Sequence, residues 1–250
     1  MTAGDPRKLA TLLKKLRAAA GDTPPTPPDA ATEAIDGFDE HLHQLVFSIM
    51  LWEATTTQAR TAVKRLREHF ADINELRVCM PDDTVACLGE RYPLARDRAL
   101  RLRHALHDIF TRQHVLSLAA LRTLPRKDAA AFLESLDGLP LFVAQRVCVV
   151  GLGIHTCPVD SRMRDHLADA KIVPDDMPAA EVARLITQNT RAEDALTTYL
   201  LLQQWSDELA DAKRSKPTKT AAETADDAAP PKKRKATKTA SARKPKGTKP

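Results

Sequence analysis

Asp160 is the residue of this 250-residue chain whose type and setting point most directly to chemistry. It closes the loop 151–160, GLGIHTCPVD, in which Gly151, Gly153 and Pro158 stop one helix and a short acid stands ready to cap the next. A carboxylate at a helix start stays ionised, and a fixed negative charge there can stabilise a developing sugar cation or orient a water. It is also an ordinary N-cap, and the two roles are compatible. Upstream, residues 133–151 read as a short helix, a tight turn at 137–140 (Asp-Gly-Leu-Pro) and an apolar helix of about ten residues. Backbone N–H groups at the start of that second helix have no intrahelical partner and lie at its positive end, so Gly138, Leu139 and Leu141 are the candidate holders of a phosphate. The same residues also describe a plain helix-helix turn with glycine at the C-cap and proline in the first turn of the next helix.

This layout resembles the helix-hairpin-helix (HhH-GPD) signature of the endonuclease III-like DNA glycosylases. Family hairpins read Leu-Pro-Gly-Val-Gly, two variable residues, Thr and Ala; here Leu136, Gly138, Leu139 and Ala144 match, while Pro140 replaces the second glycine. Phe142 stands where bifunctional members carry a lysine. Phenylalanine cannot form a Schiff base, so a lyase step is not expected. The family's Val-Asp is Val159-Asp160, and its Thr-His is Ser161-Arg162. Upstream, the apolar run 42–52 followed by three threonines sits where the family has a helix ending in Ala-Gln-Ala-Thr-Asp, and the glutamine that fills the gap left by a flipped base falls near Ala54, so that wedge is missing or has moved. Gly89, Tyr92 and the stretch 95–100 are similar to the family's Gly, aromatic and basic-Ala helix start, with residues inserted.

The resemblance covers roughly residues 38–170 and implies an all-α fold, double-stranded DNA as partner and base-excision repair as function. Asp160 would be the catalytic carboxylate of a monofunctional N-glycosylase; the alternative is a non-catalytic DNA-binding or chromatin-accessory module on the same fold. Many relatives hold an iron–sulfur cluster on four closely spaced cysteines after the catalytic domain. This chain has no cysteine after Cys157, so no cofactor is expected. Arg96, Arg98 and Arg162 are candidate DNA-backbone contacts, although a solvated arginine face pairing with Asp97 and Asp108 fits the stretch 91–103 as well. The histidines form no recognisable metal set. Which lesion is recognised, and the oligomeric state, are not legible.

The elements that must position these residues are helical throughout. Leu45, Ile49 and Trp52 share one face, Ala59, Val63, Leu66 and Phe70 another, and Leu102, Ala105, Leu106, Ile109 and Phe110 a third, with no sustained strand alternation. The expected organisation is an amphipathic surface helix within 1–22, a Pro-rich spacer at 23–36, a helical domain at 37–212 and a basic tail at 213–250. That tail carries 13 Lys and Arg against 3 Asp and Glu, which leaves 25 basic and 30 acidic side chains of the chain's 38 and 33 in residues 1–212. With no large apolar residue, the tail is expected to be disordered and to add non-specific DNA affinity. No apolar run is long enough for a membrane span and no signal pattern is present, so the expected location is intracellular and DNA-associated, in a nucleoid or a nucleus.

Overall fold

The computed structural model describes residues 4–21, 25–31 and 37–215, and among these every regular element is helical. The helices are α1 (Pro6–Ala20), α2 (Glu40–Leu51), α3 (Thr56–His69), α4 (Ile73–Val78), α5 (Pro81–Leu88), α6 (Ala95–Gln113), α7 (Arg126–Glu134), α8 (Leu141–Gly151), α9 (Ser161–Asp169), α10 (Ala179–Gln188) and α11 (Ala195–Ser215). None of the described helices is long and apolar enough to cross a membrane.

At the centre lies α2, buried at every residue from His41 to Leu51, with α3, α6 and α8 packed around it. A helix covered on all sides is a core helix, and the polar His41, Gln44 and Ser48 are buried with it. It starts at Asp39, whose carboxylate accepts from the backbone of His41 and Leu42, and α3 starts with a reciprocal capping box between Thr55 and Gln58. Helix α8 comes close to α2 at Gly151, where a Cβ would meet the carboxamide of Gln44, so a larger residue there needs that side chain to turn away.

Three points of organisation add to or differ from the expectation. The N-terminal amphipathic helix is seated by its leucine face: Leu9 and Leu13 are buried in the common core, and Asp5 N–H donates to Ile172 O at 2.8 Å. The Pro-rich stretch is more than a spacer, because its short turn Pro28–Ala31 carries Asp29 into the interior, where the carboxylate meets Arg146 Nη2 at 2.7 Å. Arg146 is fully buried and also donates to Ser48 Oγ (2.9 Å) and Tyr199 Oη (3.0 Å). Burial works against its charge, but Tyr199 and Asp29 outweigh that and hold it cationic. The third point is at the carboxyl end, where α11 runs to Ser215, past the boundary at Lys213. The expected disorder of the tail falls on 216–250, outside the described residues.

Candidate DNA-facing site

The turn between α7 and α8 has Gly138 at φ +68°, a backbone that favours glycine. Helix α6 straps it from one side. Arg101 Nη1 donates to Gly138 O at 2.7 Å, Asp108 Oδ2 accepts from Asp137 N–H at 3.0 Å, and Arg112 reaches Ser135 O at 2.8 Å. Pro140 is the N-cap of α8, one position earlier than the first-turn site expected, so its missing donor falls just outside the helix. The N–H groups of Gly138, Leu141 and Phe142 make no hydrogen bond among the described residues, whereas that of Leu139 donates to Leu136 O at 3.2 Å. Gly138 and Leu141 thus keep free donors at the positive end of an 11-residue helix, and Leu139 does not. The Phe142 side chain is buried in the core.

Asp160 caps α9, its Oδ1 accepting from Met163 N–H at 2.8 Å. Its other oxygen accepts from Glu53 N–H at 3.1 Å. Glu53 returns the contact, its carboxylate taking Ser161 N–H (2.8 Å) and Ser161 Oγ (2.6 Å). The two carboxylates thereby interlock, Asp160 holding the backbone of Glu53 and Glu53 holding Ser161, the residue after Asp160, and Glu53 is held at φ +56°, an uncommon conformation for a side-chain-bearing residue. Asp160 is only 3% exposed. Burial pushes its carboxyl up to about 6 despite nearby Arg162, with the Glu53 charge adding to the rise. It is still mostly ionised at neutral pH.

A chain of contacts ties the hairpin to this aspartate. Arg101, which holds Gly138 O, lies with its guanidinium 5.1 Å from the centre of the Trp52 ring, and Trp52 directly precedes Glu53. The hairpin, the half-exposed indole and the Asp160 loop are therefore mechanically continuous. Neither Trp52 nor Glu53 was expected from sequence. The signal that could have found them is the end of the α2 apolar run itself, since a core helix that stops at a tryptophan and an acid must place both at its rim.

The arginine expectations divide. Arg98 is not a DNA contact: it is fully buried and donates to Ile49 O, Trp52 O and Pro93 O, supplying the donors that the carboxyl end of α2 lacks. Desolvation lowers it to about 10, so it remains charged. Arg162 is largely covered too, pairing with Asp207 at 2.8 Å while its Nε lies 3.9 Å from Asp160 Oδ2. Its task is to offset charge between two carboxylates, which withdraws it from the DNA surface. Arg96 is exposed and bridged to Asp82 at 2.7 Å.

Another residue missed from sequence is Leu94, just before α6, which is 48% exposed and left-handed at φ +52°. A leucine held in that conformation costs about 1–2 kcal/mol, so the surrounding loop imposes it. Cys148 and Cys157 are each buried, burial pushing both thiols up to about 12, and among the described residues no three His, Cys, Asp or Glu side chains gather as metal ligands.

No protein-family model and no curated protein matches this sequence. Solved structures do. An endonuclease III trapped as a covalent intermediate with DNA superposes with a TM-score of 0.59 at 16% identity, over 80% of this chain and 85% of that one. The chain has the endonuclease III-like, helix-hairpin-helix glycosylase fold. H. pylori 3-methyladenine DNA glycosylase bound to 1,N6-ethenoadenine gives 0.55 at 12% identity, covering 84% and 97% of the two chains. A thermostable thymine-DNA glycosylase gives 0.54 at 12%, covering 80% and 86%.

Proposed function

We propose that this chain is a monofunctional DNA N-glycosylase that grips duplex DNA with the hairpin and releases a damaged base at Asp160. The observation that carries the reading is the ionised, capped Asp160 carboxylate, linked through Glu53, Trp52 and Arg101 to a hairpin with free N–H donors. A phosphate on the Gly138 and Leu141 donors would register the strand. The C1′–N bond then breaks with its electron pair leaving on the base, the Asp160 charge stabilises the sugar cation, and water adds at C1′ as its proton passes to the carboxylate. Phe142 offers no amine, so the strand is left intact at an abasic site. Exposed Leu94 supplies an apolar wedge for the unstacked step. Its place of work would be wherever the DNA lies, nucleoid or nucleus.

A second reading keeps the DNA and drops the chemistry. It is favoured by the cover over Asp160, both of whose oxygens already accept hydrogen bonds. In that case the chain is a binding module. Single-turnover base release from duplexes carrying 1,N6-ethenoadenine, 8-oxoguanine or other lesions decides between them: the glycosylase reading expects release by the wild type and none by Asp160→Asn. Absence of release across the panel, with DNA binding intact, would leave the binding module.

A further inference from the structure

A cavity of about 570 Å³ opens between the outer face of α3 and the segment that joins α5 to α6, and it contains none of the residues of the Asp160 loop. Its walls are unusually rich in donors. Arg65 spends one nitrogen on Leu88 O (2.6 Å), and among the described residues the rest of its fork is free and exposed Arg91 has no carboxylate partner. Gln58 has its amide oxygen committed to Thr55, so its NH2 remains, and Thr57 adds a hydroxyl. Glu90 is the one acid of the lining. Leu88, Ala62 and Tyr92 give an apolar floor with an aromatic side. That floor is rigid, because Tyr92 Oη donates to Met50 O at 2.7 Å and its ring lies 5.0 Å from the Arg98 guanidinium.

The ligand that complements such a cavity is flat, acceptor-rich and anionic. Arginine forks match phosphate oxygens in pairs, an amide NH2 and a hydroxyl suit base carbonyls and ring nitrogens, and an apolar floor with an aromatic edge takes a base face. The volume lies within the range of small-ligand sites, about 300–1,000 Å³. Both walls spring from the segment that positions Asp160: α3 begins three residues after Glu53, and Tyr92 is pinned to the end of α2. We infer that this cavity receives one unpaired nucleotide of the bound DNA, its phosphate on Arg65 and Arg91 and its base against Tyr92 and Leu88. The inference rests on the DNA-binding part of the proposed function and is independent of base release.

The test uses the full chain and two 15-base-pair duplexes that differ by a single unpaired nucleotide, with thymidine monophosphate and pentathymidylate as further probes. In amide NMR spectra, pentathymidylate and the bulged duplex should shift the signals of Thr57 and Gly89. Arg91→Gln should weaken the bulged duplex about tenfold and the perfect duplex less than twofold, and Thr61→Phe, which fills the cavity and leaves both arginines in place, should remove the same preference. A shift by thymidine monophosphate as large as by pentathymidylate would mean that the cavity serves a free nucleotide, and would overturn the assignment to a DNA strand. Equal losses on both duplexes, or unmoved Thr57 and Gly89 signals, would overturn the site itself. Base release on lesion duplexes is scored separately, so a bulge preference that survives in a chain without turnover would sink the glycosylase reading and keep this one.

Discussion

Asp160→Asn removes a buried charge while keeping the shape of the cap, so its effect on stability must change with pH. The folded carboxyl binds its proton up to a pH of about 6, against 3.8 for the exposed group. Wild-type protein therefore loses stability as pH rises from about 4 to about 6, because the unfolded chain ionises first and the folded one holds its proton. At 1.36 kcal/mol per unit, the loss is about 3 kcal/mol once both states are ionised. Asparagine does not titrate and escapes it. Both side chains keep one oxygen for Met163 N–H, but the amide NH2 that asparagine brings cannot accept from Glu53 N–H, a loss of about 1 kcal/mol that is the same at every pH. Between pH 4 and pH 7.5 the variant should therefore gain on the wild type by about 2–3 kcal/mol, while base release is lost. Urea unfolding of both proteins at the two pH values measures this, and titrations elsewhere cancel in the difference. A stability gap that is the same at pH 4 and pH 7.5, or one that moves in favour of the wild type, would refute the desolvated carboxylate on which the site was built.

Borohydride treatment of the chain on an abasic duplex, after deletion of 216–250 to remove reactive tail amines, should trap no covalent complex, because Phe142 has no amine; a trapped band would require another nucleophile. The same deletion removes 11 Lys and Arg and 3 Asp and Glu, so affinity for undamaged duplex should fall and its salt dependence flatten; unchanged binding by fluorescence anisotropy would put the anchor in the helical body. Arg98→Met should destabilise by roughly 3 kcal/mol in urea, since it strands the carbonyls of Ile49 and Trp52 inside the protein, and a loss under 1 kcal/mol would contradict that role. Leu94→Gly should relieve backbone strain, leave stability within about 1 kcal/mol and weaken binding to lesion duplexes more than to intact ones; equal effects on the two would remove the wedge.

The helices themselves could be read from periodicity, and so could Asp160 as an N-cap, because both depend on residues near in sequence. The arginines show where local reading stops. Arg98 stands four residues before Leu102 and shares the stripe that continues through Ala105 and Ile109, so its burial was encoded in the spacing, yet charge alone suggested a surface. Arg162 gives no such sign, because its partner Asp207 lies on another helix 45 residues away. Glu53 was overlooked for a similar reason: its importance comes from Asp160 and Ser161, more than a hundred residues on, and only the fold brings them together. The hairpin was legible as a turn with a phosphate-binding option, and the structure removed only Leu139 from its donors.

The Asp29–Arg146 pair sets an order on how this protein can be made. The ribosome releases the Pro-rich segment first, but the guanidinium that Asp29 seats against lies 117 residues later, and Tyr199, which completes the cluster, later still. Until α8 and α11 have emerged, the N-terminal turn has nothing to dock on, and α2 lacks the helix that covers one of its sides. The central helix must therefore wait in an open, apolar state through most of synthesis. Final closure is a late event that joins the Asp29 turn to α8 and α11, so removing that turn or α11 would leave the Arg146 charge stranded in the core.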